Sequence, residues 1–186
     1  MTCPSNKIGD LRDRRQRRTW SAALVAFPLS VAGIGMLGYR INLTPSEPLG
    51  LWRIVTLNLP ATVGDVVFIC PPQTAAMKDA RDRGYLRSGL CPGGYAPLIK
   101  TIVATEGTRL VIDRSVTIDG RALAHSDVRT IDGSGRTLFA FAGSSVPAGE
   151  VFVHSPFVAS FDSRYFGPIP ASGILGRAEE VLTFAP

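Results

Sequence analysis

The side chains of this chain that can start nucleophilic chemistry stand in very different settings. There are three lysines, Lys7, Lys78 and Lys100. Lys7 belongs to an arginine-rich N-terminus, and Lys78 sits among Asp79, Arg81 and Asp82, the pattern of a solvated helix face. Lys100 stands inside P-L-I-K-T-I-V-A at 97–104, an otherwise apolar strand-like run. A lysine there either snorkels from a sheet edge or is buried. Burial disfavours the ammonium form and lowers the pKa. A neutral amine can then take the proton of a serine hydroxyl. Ser46, in T-P-S-E-P-L-G at 44–50, is a serine in a turn-rich segment, although S-x-P-x-G alone is ordinary turn chemistry. The two histidines, His125 and His154, come without a G-x-S-x-G elbow, so a Ser-His-Asp triad finds no support. There is no His/Cys cluster with metal-ligand spacing, no phosphate loop and no dinucleotide fingerprint, so neither metal nor cofactor is expected.

The elements that must position these residues begin with an anchor. Residues 1–18 carry Lys7, Arg12, Arg14, Arg15, Arg17 and Arg18 against Asp10 and Asp13, which accounts for most of the formal net charge of +5. No charged residue lies between Arg18 and Arg40. The apolar run Trp20–Tyr39 has the length of about 20 residues needed to cross a hydrocarbon core of about 30 Å. Pro28 and the glycines of this run suit a membrane helix better than a soluble one. Trp20 and Tyr39 fall where amphipathic rings favour the headgroup layer. The arginine cluster assigns the N-terminus to the cytoplasmic side. The expected organisation is a cytoplasmic basic tail at 1–18, a transmembrane anchor at 19–40 and an extracytoplasmic domain at 41–186. A cleaved signal peptide is the competing reading, but the apolar stretch is long and no convincing A-x-A site follows. The tail's place beside the span explains its charge, and nucleic-acid binding is not expected.

The body is turn-rich, with 19 glycines and 14 prolines in the whole chain. Short β-type runs appear at 51–55, 65–69, 97–105, 109–113, 115–119, 137–141, 150–154 and 180–184, each bounded by turn residues. One helical insert is expected over 74–86, and the polar stretch 120–136 reads as a mobile hairpin or loop. The expected fold is mainly β, closed or sandwich-like. Cys70 and Cys91 flank the insert as either a disulfide or two separate buried thiols, and an extracytoplasmic setting favours the disulfide.

Several of these segments together resemble a known family. N-x-T-x-S-x-P-x-G-L-W at 42–52 is similar to the nucleophile box of type I signal peptidases, in the version found in conjugative-transfer peptidases of the TraF type. P-L-I-K-T-I-V-A at 97–104 resembles the family's lysine strand, V-T-I-D-G at 116–120 its following hairpin, and S-F-D-S-R-Y-F-G-P-I-P at 160–170 its C-terminal box. The resemblance implies a signal-peptidase-like β domain in the bacterial inner membrane, with its catalytic part in the periplasm. It implies Ser46 as nucleophile and Lys100 as general base. By the same match Thr44 helps to form the oxyanion hole with the Ser46 N–H, and Ser160 orients the lysine. Asp162 and Arg164 brace the site, and Pro48 and Gly50 fix the turn that presents Ser46. Two departures lie beside the site: His154-Ser155-Pro156 where the family often carries G-D-N, and Glu106-Gly107-Thr108 where a P-G-D turn is usual.

The implied substrate is a membrane-tethered protein, in the conjugative branch a pilin precursor that some members close into a ring. The implied partners are the lipid bilayer and the components of a conjugative type IV secretion apparatus. Two other functions compete: a general signal peptidase for secreted proteins, and a non-catalytic membrane-anchored component of the apparatus.

Overall fold

The computed structural model describes residues 35–57 and 60–185. The chain divides after Tyr39, and nearly all of the described residues belong to the second unit, from Arg40 onward. The basic tail and nearly all of the expected membrane span lie outside the described residues. Among those described, no helix is long and apolar enough to cross a membrane.

The second unit is mainly β. Its larger sheet has seven strands in the order β1 (Tyr39–Asn42), β2 (Leu49–Val55), β11 (Ile174–Phe184), β3 (Val66–Ile69), β5 (Leu98–Thr105), β9 (Glu150–His154) and β10 (Ile169–Pro170). The smaller sheet is a three-stranded meander of β6 (Leu110–Ile112), β7 (Val116–Ile118) and β8 (Arg121–Ala122). The large sheet is therefore open, with β1 and β10 at its ends. β4 (Ser88–Cys91) stands outside both sheets.

The middle of the large sheet is built from β3, β5 and β9, whose Val, Ile and Phe residues suit a pleated surface covered on both faces. β5 pairs antiparallel with β3, Lys100 opposite Val67, and with β9, Thr101 opposite His154. Side chains alternate along a strand, so Lys100 shares its face with Leu98 and Ile102. Ile102 belongs to the main core, with Val67, Ile69, Val151, Val153 and Ile169. Ile99 points the other way, into a cluster with Trp52, Phe68 and Ala178.

The expected insert is helix α1 (Ala75–Asp82). Thr74 caps it by accepting from the Met77 N–H at 3.3 Å, and Met77 and Ala80 pack into the main core. The chain leaves α1 through Gly84, whose φ of +82° is a left-handed value that favours glycine. A Cys70–Cys91 disulfide, Cα–Cα 5.6 Å, closes the segment that holds the helix. A loop of about 20 residues closed in this way stabilises by about 3 kcal/mol in the chain-entropy account.

Two expectations, for the run 137–141 and for Gly50, need correction. The run 137–141 is not a strand. Leu138 N–H bonds to the Thr130 carbonyl and Phe141 N–H to the Arg164 carbonyl, and Phe139 is 77% exposed. The segment 120–136, expected as a hairpin or loop, contains β8, then loop, then a turn closed by a bridge between Ile131 and Thr137, and it is tied to the insert. Tyr85 Oη donates to Asp132 at 2.5 Å, Arg136 pairs with Asp132 at 2.6 Å, and Arg136 also donates to the Arg83 carbonyl. Gly50 lies within β2 and not in the turn before it. A Cβ there would sit 2.2 Å from the Leu182 carbonyl oxygen of β11, so strand pairing excludes a side chain.

Candidate active site

Ser46 sits in a turn between β1 and β2, and that turn is organised by Asn42. The side chain of Asn42 is buried at the end of β1. Its Nδ2 donates to the carbonyls of Thr44, Glu47 and Pro48 at 2.9, 2.9 and 3.0 Å. Its Oδ1 accepts from the Thr44 N–H at 3.0 Å and from Thr44 Oγ1 at 2.7 Å. Buried Trp52 adds a bond from Nε1 to the Pro48 carbonyl at 2.9 Å. Pro48 thus serves the turn through its carbonyl as well as its ring. Among the described residues the Ser46 N–H makes no hydrogen bond, which leaves it available as an oxyanion donor. Thr44 Oγ1 lies 3.5 Å from Ser46 Oγ, but its one proton is directed at Asn42. To donate to an oxyanion, the Thr44 hydroxyl must turn away from Asn42.

Lys100 comes from the opposite direction. It is on a central strand and 3% exposed, so the edge-snorkelling alternative does not hold. Its Nζ donates to Ser160 Oγ at 2.8 Å. No carboxylate lies within ion-pairing distance of this amine among the described residues. Burial pulls the Lys100 pKa down to about 8, while the more distant charges of Asp162 and Glu47 hold it up in part. Glu47, next to Ser46 in sequence, shows the complementary effect. Burial raises its pKa to about 7, the positive charge of Lys100 opposes that rise, and Glu180 adds to it. Glu47 Oε1 is buried without a hydrogen-bond partner.

Behind Ser160 lies an ion pair that is wholly buried, Asp162 with Arg164. It is bidentate, Nε to Oδ1 at 2.8 Å and Nη2 to Oδ2 at 2.9 Å, a geometry that strengthens the pair. Asp162 also caps helix α2 (Ser163–Phe166) by accepting from the Arg164 N–H, and it accepts from the Ser155 N–H at 3.1 Å. Arg164 donates further to the carbonyls of Ser160, Phe157 and Asp127 at 3.1, 3.3 and 2.7 Å. Every donor and acceptor of consequence is matched, as a buried charge pair requires.

Ser46, Thr44, Lys100 and Ser160 all line one cavity of about 490 Å³. Its walls are mostly apolar, from Ile41, Leu43, Phe68, Leu98, Ile99, Phe157 and Phe161, with Tyr85 and Arg87 contributed by the insert region. Ser46 and Lys100 face this space without a direct hydrogen bond between them, and in a free enzyme such contacts are often long. Neither His125 nor His154 lines the cavity. His154 Nε2 donates to the His125 carbonyl at 3.2 Å, and burial lowers its pKa.

Sequence reasoning passed over Asn42, Glu47 and Ser155. Asn42 carried a signal, since it opens the N-x-T-x-S box. Ser155 stands in the His154-Ser155-Pro156 departure, but nothing local marks its contact, a hydroxyl that donates to the carbonyl of Ser46 from 109 positions away.

A buried lysine, a turn serine and a mostly apolar cleft on a β scaffold define the kind of site a serine peptidase uses. The chain belongs to the signal peptidase family, peptidase S26, whose profile matches residues 16–183. More particularly, it is 56% identical over 178 residues to a probable conjugal transfer protein TraF of Sinorhizobium fredii (strain NBRC 101917 / NGR234), covering 92% of this chain and 95% of that protein. It is 51% identical over 176 residues to the conjugal transfer protein TraF of Agrobacterium tumefaciens (strain 15955), covering 95% of this chain and 100% of that one. A signal peptidase I from Enterococcus faecalis V583 matches in structure with a TM-score of 0.39 at 19% identity, over 63% of this chain and 95% of that chain.

Proposed function

We propose that this protein is a membrane-anchored serine endopeptidase in which neutral Lys100 activates Ser46, and that it matures a pilin precursor for conjugal transfer. The observation that carries the reading is Lys100 itself: a lysine on a central strand, buried, without a carboxylate partner, and lining the same cavity as Ser46. A lysine placed there for stability alone is hard to explain, since an unpaired buried ammonium costs several kcal/mol.

The chemistry is acyl transfer. Ser46 Oγ attacks the carbonyl carbon of the scissile peptide while its proton passes to Lys100 Nζ, and Ser160 holds the amine in place. The Ser46 N–H faces the developing oxyanion, and the Thr44 hydroxyl joins it after rotating. Such donors are commonly worth about 3 kcal/mol of barrier each. The C–N bond then breaks, and the leaving amine takes the proton from Lys100. Water, or an amine of the substrate itself, attacks the resulting ester. Water gives a shortened chain, and an internal amine gives a ring.

Anchorage rests on the apolar run within 19–40 and on the arginines before it. The serine lies only a few residues beyond that run, so cleavage occurs near the bilayer surface of the periplasmic side. A substrate in the same membrane gains a high effective concentration there. The conjugal substrate is suggested by the names of the relatives, which cover nearly the whole chain. The test is co-expression of the full-length protein with a pilin precursor, read by intact mass. Wild type shortens the precursor and Ser46→Ala leaves it intact. A precursor that Ser46→Ala still processes removes this serine from the mechanism.

A further inference from the structure

We propose that Ser155 is a positioning residue of the peptidase, one whose hydroxyl registers the nucleophile turn against the strand next to Lys100. The inference rests on Ser46 as nucleophile and gives a role to a residue known from the sequence only as part of the departure from G-D-N. Ser155 is fully buried and follows directly on β9. The last residue of β9, His154, pairs with Thr101, the residue after Lys100. Ser155 is thus fixed to the lysine strand through the sheet.

Three hydrogen bonds hold the N–H and hydroxyl of Ser155. Its N–H goes to Asp162 Oδ2, its Oγ accepts from the Phe157 N–H at 3.3 Å, and its single hydroxyl proton goes to the Ser46 carbonyl. Asp162 is locked by Arg164, and Arg164 also holds the Ser160 carbonyl. Ser160 in turn accepts from Lys100. One buried cluster therefore reaches both halves of the site, the lysine through Ser160 and the serine through Ser155.

The Asn42 bonds to the turn run within residues 42–48, so they fix its shape but not its place. The Trp52 bond ties it to its own following strand, β2. Only the Ser155 hydroxyl, among side-chain bonds of the described residues, reaches the turn from the lysine side. Removing that hydroxyl should leave the turn folded yet let Ser46 drift relative to Lys100. Small misplacements of reacting groups cost rate steeply.

The experiment uses full-length protein in detergent with the pilin precursor, and compares wild type, Ser155→Ala, Ser163→Ala and Ser46→Ala in kcat, KM and thermal midpoint. Ser163 is an internal control: it is buried and its Oγ accepts from the Val153 N–H on the same strand, but it does not touch the turn. The expected result is a kcat about tenfold or more lower for Ser155→Ala, with KM within about twofold, while Ser163→Ala loses thermal stability and keeps kcat. Equal kcat for the two variants, or a loss in Ser155→Ala that only follows its folded fraction, overturns the inference. If Ser155→Ala does not fold, Ser155→Thr and Ser155→Val, equal in volume and differing in the hydroxyl, give the same comparison. The Thr form should then exceed the Val form in kcat, and equal rates overturn the inference. Processing by Ser46→Ala, or none by wild type, instead refutes the proposed function and is told apart by those two samples alone.

Discussion

Ser46 and Lys100 reach one cavity on opposite kinds of support. Lys100 rides on β5 with a strand paired on either side, buried between Leu98 and Ile102, which pack into the main core. Ser46 sits in a turn whose shape depends on side-chain hydrogen bonds, chiefly from Asn42. The backbone of the lysine half is held by ladders on both sides and by the packed core beneath it. The serine half is ordered by a few polar contacts, each worth about 1 kcal/mol net. The difference suits the roles proposed for them. The base needs a dry, fixed place to stay neutral, whereas the nucleophile needs exposure to a substrate.

If that contrast is right, substitutions in the two halves should fail differently. The largest effect is expected from Lys100→Met, which keeps the stem and removes the amine. Peptidase activity should fall to background while thermal stability holds or rises, since a buried ammonium is gone. The pH dependence of stability should change with it. In wild type the folded pKa, about 8, lies below that of the unfolded chain. Between about 8 and the usual lysine value the unfolded state binds more protons, so wild-type stability rises with pH there. Lys100→Met should lose that rise, as denaturant titrations at several pH values would reveal.

Asp162→Ala comes next and acts on both halves. It strands Arg164 without its counter-charge in a fully buried place, a change that typically costs about 3–5 kcal/mol. Chemical denaturation should register most of that loss. A drop below about 1 kcal/mol would mean that the ion pair is not the brace it looks to be. Asn42→Ala should fall below this, at about 2 kcal/mol, because several turn carbonyls lose their donor. Activity should suffer more than stability here, since the turn can unravel while the sheet persists.

The smallest effect is a shift of pH profile in Glu47→Gln. The Glu47 carboxylate holds the Lys100 pKa up, so its neutral amide should move the rise of activity to lower pH. The folded pKa of Glu47 lies above its ordinary value, so wild-type stability falls as pH rises toward about 7. The glutamine variant should lack that fall. A profile unmoved on both counts would detach Glu47 from the site.

The same contrast explains how much was legible beforehand. A lysine within an apolar run is conspicuous, because it must either snorkel from an edge or be buried, and β5 at Leu98–Thr105 falls within the expected 97–105. The Ser46 turn was marked by Pro45, Pro48 and the box around them. The contacts that hold it were not. Asn42 opens the box four residues upstream, but the sequence does not show that its side chain holds three turn carbonyls, and Ser155 meets Ser46 only through the order of strands in the sheet. The reason for Gly50 also depended on that order, since β11 comes from the other end of the chain to press against it. The run 137–141 reads as a strand by composition, yet among its residues only Thr137 makes a bridge, to Ile131, and the Phe141 N–H goes to the Arg164 carbonyl. Tertiary contacts overrode local propensity there.

The central claim is that Lys100 acts as the neutral base for Ser46. Its most direct test is kcat/KM of the full-length protein on a pilin precursor from pH 6 to 10. The account predicts a rate that rises with pH and levels off above about 8, where the buried amine loses its proton. Lys100→Arg should show no such rise and only background rate, since a guanidinium stays charged throughout. A flat profile, or processing retained in Lys100→Arg, would contradict it.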